Sequence, residues 1–201
     1  MAVLTLILLV AWLFVVSAVP VVRLRRATGH IPLPTPSARA SAAWWAKLLG
    51  SAALLLAFGA PVAELLGLRP LAPLGDQRIR TAGIALVVLG TAGALVAQRA
   101  MGAAWRPDVS PAERLPLVTN GPFRLVRNPV LAATLVAELG FFLLVPNLVG
   151  LAFLAASFAS AQVQVRLVEE PHLARVHGAE YASYAARTGR FVPGLGRLRQ
   201  G

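Results

Sequence analysis

From residue 129 to residue 165 the chain carries a single charged side chain, Glu138, in an otherwise apolar run of 37 residues. An α-helix rises 1.5 Å per residue and needs roughly 20 residues to cross the hydrocarbon of a bilayer. The run is too long for one crossing and long enough for two, and Pro146-Asn147 interrupts it. Proline cannot continue a helix, so the pattern predicts two tightly joined helices. Three more apolar stretches precede this hairpin, at residues 2–22, about 44–68 and 81–97. The third is rich in small residues (Gly83, Gly90, Gly93, Ala94 and Ala97), which let membrane helices approach closely. Ala152, Ala156 and Ser160 recur at helical spacing and predict a packing stripe on the fifth helix.

Only 13% of the residues are charged, against about 25% in a soluble domain. The expected fold is an all-α integral membrane protein with about five transmembrane helices, a tight C-terminal helical hairpin and a cytoplasmic C-terminal helical segment. Two regions of one structural domain are expected, residues 1–98 with three helices and residues 99–201 with a long polar loop, the hairpin and the C-terminal segment. Residues 28–41 read as a linker stiffened by Pro32, Pro34 and Pro36.

Arg23, Arg25 and Arg26 follow the first span, whereas a cleaved signal peptide carries its positive charge in front. The first span therefore reads as a retained anchor with its N-terminus outside. Five crossings then put the C-terminus in the cytoplasm. On that arrangement the inner segments hold sixteen of the 19 basic residues, and the outer loop holds three, Arg69, Arg78 and Arg80. Basic residues concentrate on the cytoplasmic side, so the expected location is the cell membrane, multi-pass. The same rule accounts for the net charge of +11 without a nucleic-acid partner, and membrane lipids are the expected surroundings.

The chain has no cysteine, which excludes disulfides and thiolate chemistry. Its three histidines are His30, His172 and His177. Glu169-x-x-His172 is half of a carboxylate-bridged metal motif, but no second half exists and Pro171 interrupts it. No metal site is expected on that ligand count. Glycine-rich nucleotide loops and the serine elbow are also absent.

What remains is a set of polar groups at the cytoplasmic membrane edge. Asn120-Gly121-Pro122 can turn the backbone and expose amide groups. Arg127 can grip a carboxylate in a bidentate pair, and Asn128 suits an amine or a nucleobase. Glu169 and Glu170 point about 100° apart on a helix, so one can meet ligand hydroxyls or a cation while the other pairs with an arginine. Tyr181 and Tyr184 share one helical face. Glu138 is costly inside an apolar helix and is a functional candidate on that ground, with Arg127 or Arg99 as a structural partner.

Taken in order, these residues resemble the membrane-embedded isoprenylcysteine carboxyl methyltransferase family, which is related to the phospholipid N-methyltransferases. The matching positions are Leu117-Val118, Gly121, Phe123, Arg127 and Pro129, followed by Glu169-Glu170, Leu173, His177-Gly178, Tyr181, Tyr184 and Phe191-Val192-Pro193. Met101-Gly102-Ala103-Ala104-Trp105-Arg106 is similar to the segment before this motif in bacterial members. The resemblance covers about residues 99–195.

It implies an S-adenosylmethionine-dependent methyltransferase acting on an isoprenoid or lipid-like acceptor that enters from the bilayer. It further implies cofactor binding by Val118, Gly121, Phe123, Arg127, Asn128, Pro129, Glu169, Tyr181 and Tyr184, and catalytic roles for Glu170 and Arg166. Asn128 stands where the family has histidine, and Arg166 is displaced by one position from the family's arginine. A neutral amide cannot act as a general base near neutral pH. Two other functions stay open on the residues, a non-catalytic membrane interaction protein and an NADPH-dependent membrane reductase.

Overall fold

The computed structural model describes residues 1–29, 36–105 and 115–198. His30, Pro32, Pro34 and Arg106, named above, lie outside the described residues.

The first apolar stretch forms α1 (Ala2–Leu13), passes through a π-helical turn at Phe14–Ala18 and continues as α2 (Val19–Thr28). Next come α3 (Ala42–Leu65), α4 (Gln77–Met101) and α5 (Pro129–Leu144). The chain ends in α6 (Leu148–Val163), a second π-helical turn at Gln164–Glu169 and α7 (Glu170–Arg187). Both π turns stand just ahead of a proline near the start of the following helix, Pro20 and Pro171. Proline lacks an N–H and its ring collides with the carbonyl four residues back. A local widening of the ladder accommodates this and lets the helix continue.

Among the described residues four helical stretches are long and apolar enough to cross a membrane, and α5 is a shorter apolar fifth. The protein is an all-helical, multi-pass membrane protein. In the last stretch, Leu148–Arg187, the apolar part ends near Val165. Arg166, Glu169, Glu170, His172 and Arg175 follow, too many polar groups for hydrocarbon. The polar part, α7, therefore lies beyond the membrane-spanning segments.

Two helix starts, those of α3 and α4, are capped by their preceding polar side chains. Ser41 Oγ accepts from the Trp44 amide at 3.2 Å, and Asp76 Oδ1 accepts from the Arg78 amide at 2.7 Å. The hairpin turn falls at the predicted break. Asn147, fully buried, accepts from the Gly150 amide at 2.9 Å and donates through Nδ2 to the Ala60 carbonyl at 2.8 Å. One side chain thus caps α6 and ties the turn to α3, away from water that could do either job.

The helices pack as two intimate pairs, α4 with α5 and α3 with α6. Glycine makes the first pair possible. A Cβ on Gly90 would sit 2.4 Å from the Ala137 nitrogen, and one on Gly140 would sit 2.6 Å from the Gly83 carbonyl oxygen. Ala94 and Ala97 are buried on the same helix, so the small residues of the third span do serve packing. In the second pair Ser160 Oγ donates to the Ala46 carbonyl at 2.9 Å, opposite Gly50. Ala156 packs against the core, but Ala152 is exposed. Positions four apart advance about 40° around a helix, so a three-residue stripe turns away from its neighbour at one end. Leu9, Val87, Phe141, Leu144 and Phe153 close the centre, and Trp12 meets Phe141 edge to face at 5.6 Å.

Candidate functional site

The segment preceding α5 folds back on the C-terminal residues. Gly121, with φ +54°, opens a short 3-10 turn at Gly121–Arg124. Phe123 is buried there, and its carbonyl accepts from the Tyr184 hydroxyl at 2.7 Å. Val126 pairs with Gly189 in a single parallel bridge. The Arg127 amide donates to the Gly189 carbonyl at 2.8 Å, and the Asn128 amide to the Arg190 carbonyl at 3.1 Å. Asn128 Nδ2 reaches the same Arg190 carbonyl at 3.3 Å. Pro129 then begins α5.

Arg127 occupies the centre of this clasp, with only 2% of its side chain exposed. Nε and Nη2 donate to Glu170 Oε1 at 3.3 and 2.6 Å, Nη1 donates to the carbonyls of Ala185 and Thr188, and Nη2 donates to the Gly196 carbonyl at 2.9 Å. A guanidinium has five N–H donors, and all five are directed at protein acceptors. Arg190 completes the knot, through Nε to Glu170 Oε1 at 2.9 Å and Nη2 to Oε2 at 2.8 Å. Burial by itself would raise the Glu170 pKa, but the hydrogen bonds and charges of Arg190 and Arg127 outweigh it and hold the carboxyl below its ordinary value. The Glu170 hydrogen bond in turn raises Arg190.

Tyr181 and Tyr184 meet edge to face at 6.3 Å beside the knot, with Leu117 and Leu173 packed on them. Val118 is half-buried in the approach to the turn. Phe123 and Arg127 of the loop, Glu170 and the two tyrosines are thus brought together, and Glu169 is not among them. Arg166 is exposed on the π turn and is not part of the knot. The arginine pairing expected of one of the two glutamates is made by Glu170, with Arg127. Arg190 was not foreseen, and its only signal was its place next to Phe191-Val192-Pro193.

The two neighbouring glutamates face different surroundings. Glu170 closes the knot, while Glu169 lines an open cavity of about 680 Å³ between α1, α3, α5 and α6. The π turn carries this division. It puts Gln164 and Glu169 five residues apart on one face, and Gln164 Nε2 donates to Glu169 Oε1 at 3.1 Å. Lys47, at the same end, also lines the cavity. Deeper in, the walls are mostly apolar, with Leu9, Trp12 and Phe153 beside the hydroxyl side chains of Ser51 and Thr134. One acid breaks that apolar wall: Glu138, buried, accepts from Ser157 Oγ at 2.5 Å. Ser157 therefore takes the place expected for Arg127 or Arg99. The volume falls within the roughly 300–1,000 Å³ of small-molecule sites.

These features coincide with a match to known proteins. The phospholipid methyltransferase family matches residues 79–180, which take in most of α4, the clasping loop, the hairpin, the π turn and much of α7. The chain is also 37% identical over 83 residues to the cobalt-zinc-cadmium resistance protein CzcN of Cupriavidus metallidurans. That alignment covers 41% of this chain and 38% of the relative, so the chain spans about two fifths of the length of the curated protein it matches. Half of the sequence, including Phe123, Arg127 and Glu170 of the clasp, follows one family pattern, and the chain belongs to the phospholipid methyltransferase family.

Proposed function

We propose that the protein is an S-adenosylmethionine-dependent membrane methyltransferase whose acceptor is a lipophilic, isoprenoid or lipid-like molecule. The observation that carries this reading is the junction of the family's clasp with an apolar cavity at the π turn, where Glu170 faces one and Glu169 the other. When bound, the cofactor supplies an electrophilic methyl group on a sulfonium. The residues at the junction fit such a ligand in part. Glu169 and Gln164 offer acceptor oxygens for an ammonium group or ribose hydroxyls. The turn at Gly121 offers backbone amides, and Val118 and Phe123 offer apolar contact. Arg127 serves by fixing the loop against α7, since its donors are directed at Glu170 and three carbonyls. Arg166, on the same π turn, is the exposed cation nearest in sequence to the glutamate pair.

Catalysis at such a site is chiefly orientation. The chain's part is to hold the acceptor's nucleophilic atom in line with the methyl group and to exclude water. An acceptor in the apolar cavity would reach the junction from within the bundle, with its body among Leu9, Trp12 and Phe153. The proposed orientation keeps the clasp and cavity mouth at the cytoplasmic face, because sixteen of the basic residues fall on that side.

Calorimetric titration of the full chain in detergent with S-adenosylmethionine tests the reading. Saturable binding with Kd between about 1 µM and 1 mM is expected, together with transfer of labelled methyl to a membrane lipid extract. Glu169→Ala should weaken cofactor binding severalfold. Absence of saturable binding would overturn the proposal, and saturable NADPH binding in its place would favour a reductase.

A further inference from the structure

We propose that the cavity selects a lipophile bearing a hydrogen-bond donor at its buried end, and that Glu138 is the residue that reads it. The inference rests on the methyltransferase reading only for naming the cavity mouth as the reacting end. Glu138 lies nine residues beyond Pro129 on α5, about 14 Å along the helix. The mouth, with Lys47, Gln164 and Glu169, is polar, and the intervening walls are mostly apolar, interrupted by the small hydroxyl side chains Ser51, Thr134 and Ser160. An occupant that satisfies both ends is elongated, apolar in its middle and polar at two points.

The chemistry of the deep group narrows this further. A carboxyl inside a membrane bundle is costly and persists where it has a task. Ser157 donates one hydrogen bond, to Oε2, whereas a carboxylate has about four lone-pair positions. The rest are available to an occupant, because Glu138 is one of the residues lining the cavity. A simple acyl chain would leave that capacity unused in hydrocarbon. A hydroxyl or amine on the buried end of the lipophile would satisfy it. The cavity is thus suited to a lipid functionalised at both ends and ill suited to a plain alkyl tail.

A pair of probes isolates the deep contact: 12-hydroxydodecanoate and 12-methoxydodecanoate. Both keep a charged carboxylate that remains at the polar mouth, and they differ in whether the far end can donate. Their binding to the full chain in lipid nanodiscs is measured by competition with a fluorescent fatty acid, without S-adenosylmethionine. Partition into the disc is the same for parent and variant, so it cancels in the ratio of affinities.

The parent should prefer the hydroxy probe by about tenfold, the size of one good hydrogen bond in a dry site. Glu138→Leu should reduce the preference to about one. Glu138→Met, which fills the space with a flexible apolar chain, should do the same and decides the matter where the leucine variant fails to fold. Equal affinities in the parent, a preference unchanged in the variants, or no binding of either probe each overturn the inference. Failed cofactor binding in the calorimetric experiment would instead refute the methyltransferase reading and leave this ratio intact.

Discussion

Removing the Glu170 carboxylate is the most incisive perturbation of the clasp. In the parent, Glu170 accepts from Nε and Nη2 of Arg127 and from Nε and Nη2 of Arg190. Glu170→Ala leaves Arg127 buried, with 2% of its side chain exposed, and two of its five donors without an acceptor. Arg190, at 13% exposed, can turn to solvent and loses less. Leaving one partner of a buried ion pair uncompensated costs about 3–5 kcal/mol. That is a large share of the roughly 5–15 kcal/mol that holds a typical domain together.

The assay is equilibrium unfolding of the detergent-solubilised chain, with Arg127→Leu, Glu170→Leu and their double variant measured beside Glu170→Ala as a cycle. Because each single variant leaves the opposite member of the pair without its partner, and the double variant leaves neither, the double variant should fall short of the sum of the singles by about 2 kcal/mol. It stays well below parent stability, because Arg127 also binds the carbonyls of Ala185, Thr188 and Gly196. Strict additivity, or a cost below about 1 kcal/mol for Glu170→Ala, would refute the view that Arg127 is a structural clasp.

The pH dependence has the matching sign. The Glu170 carboxyl is held below its ordinary value, so its stabilising contribution is in place above the unfolded value of about 4.3 and is lost as acidification passes through the lowered folded value. A parent melting temperature that falls more steeply than that of Glu170→Gln below about pH 4 is the expected result. Gly90→Leu should disrupt the α4–α5 pair, since a Cβ alone would sit 2.4 Å from the Ala137 nitrogen. A loss of at least about 3 kcal/mol by thermal melting is expected, at the upper end of overpacking costs. Asn147→Ala strips the cap of α6 and the donor to Ala60 together. It should cost about 2–3 kcal/mol in the same assay. Tyr184→Phe removes one hydrogen bond to Phe123 and should cost only about 1 kcal/mol, with hydrogen exchange faster at the Gly121–Arg124 turn.

Sequence by itself determined the membrane architecture. Runs of apolar residues, the Pro146-Asn147 interruption and the small residues of α4 are local and periodic signals, and hydrocarbon permits little besides helices to answer them. Sequence also gathered the clasp, because Gly121, Phe123, Arg127, Glu170 and Tyr184 recur in a recognisable order. It could not assign their partners. Arg127 has the same chemistry whether it meets a ligand carboxylate or Glu170, and only folding brings Ala185, Thr188 and Gly196 within reach of its remaining donors. Glu169 and Glu170 are equivalent on paper. The π turn gives one to the cavity and the other to the knot.

The cavity was the least legible feature, since its walls come from four helices spread over most of the chain. Glu138 could be singled out from its cost in an apolar helix, but Ser157 as its partner depends on how α5 and α6 face each other across the hairpin. Side-chain chemistry is written residue by residue, whereas a cavity exists only between helices once their rotation and spacing are set by packing.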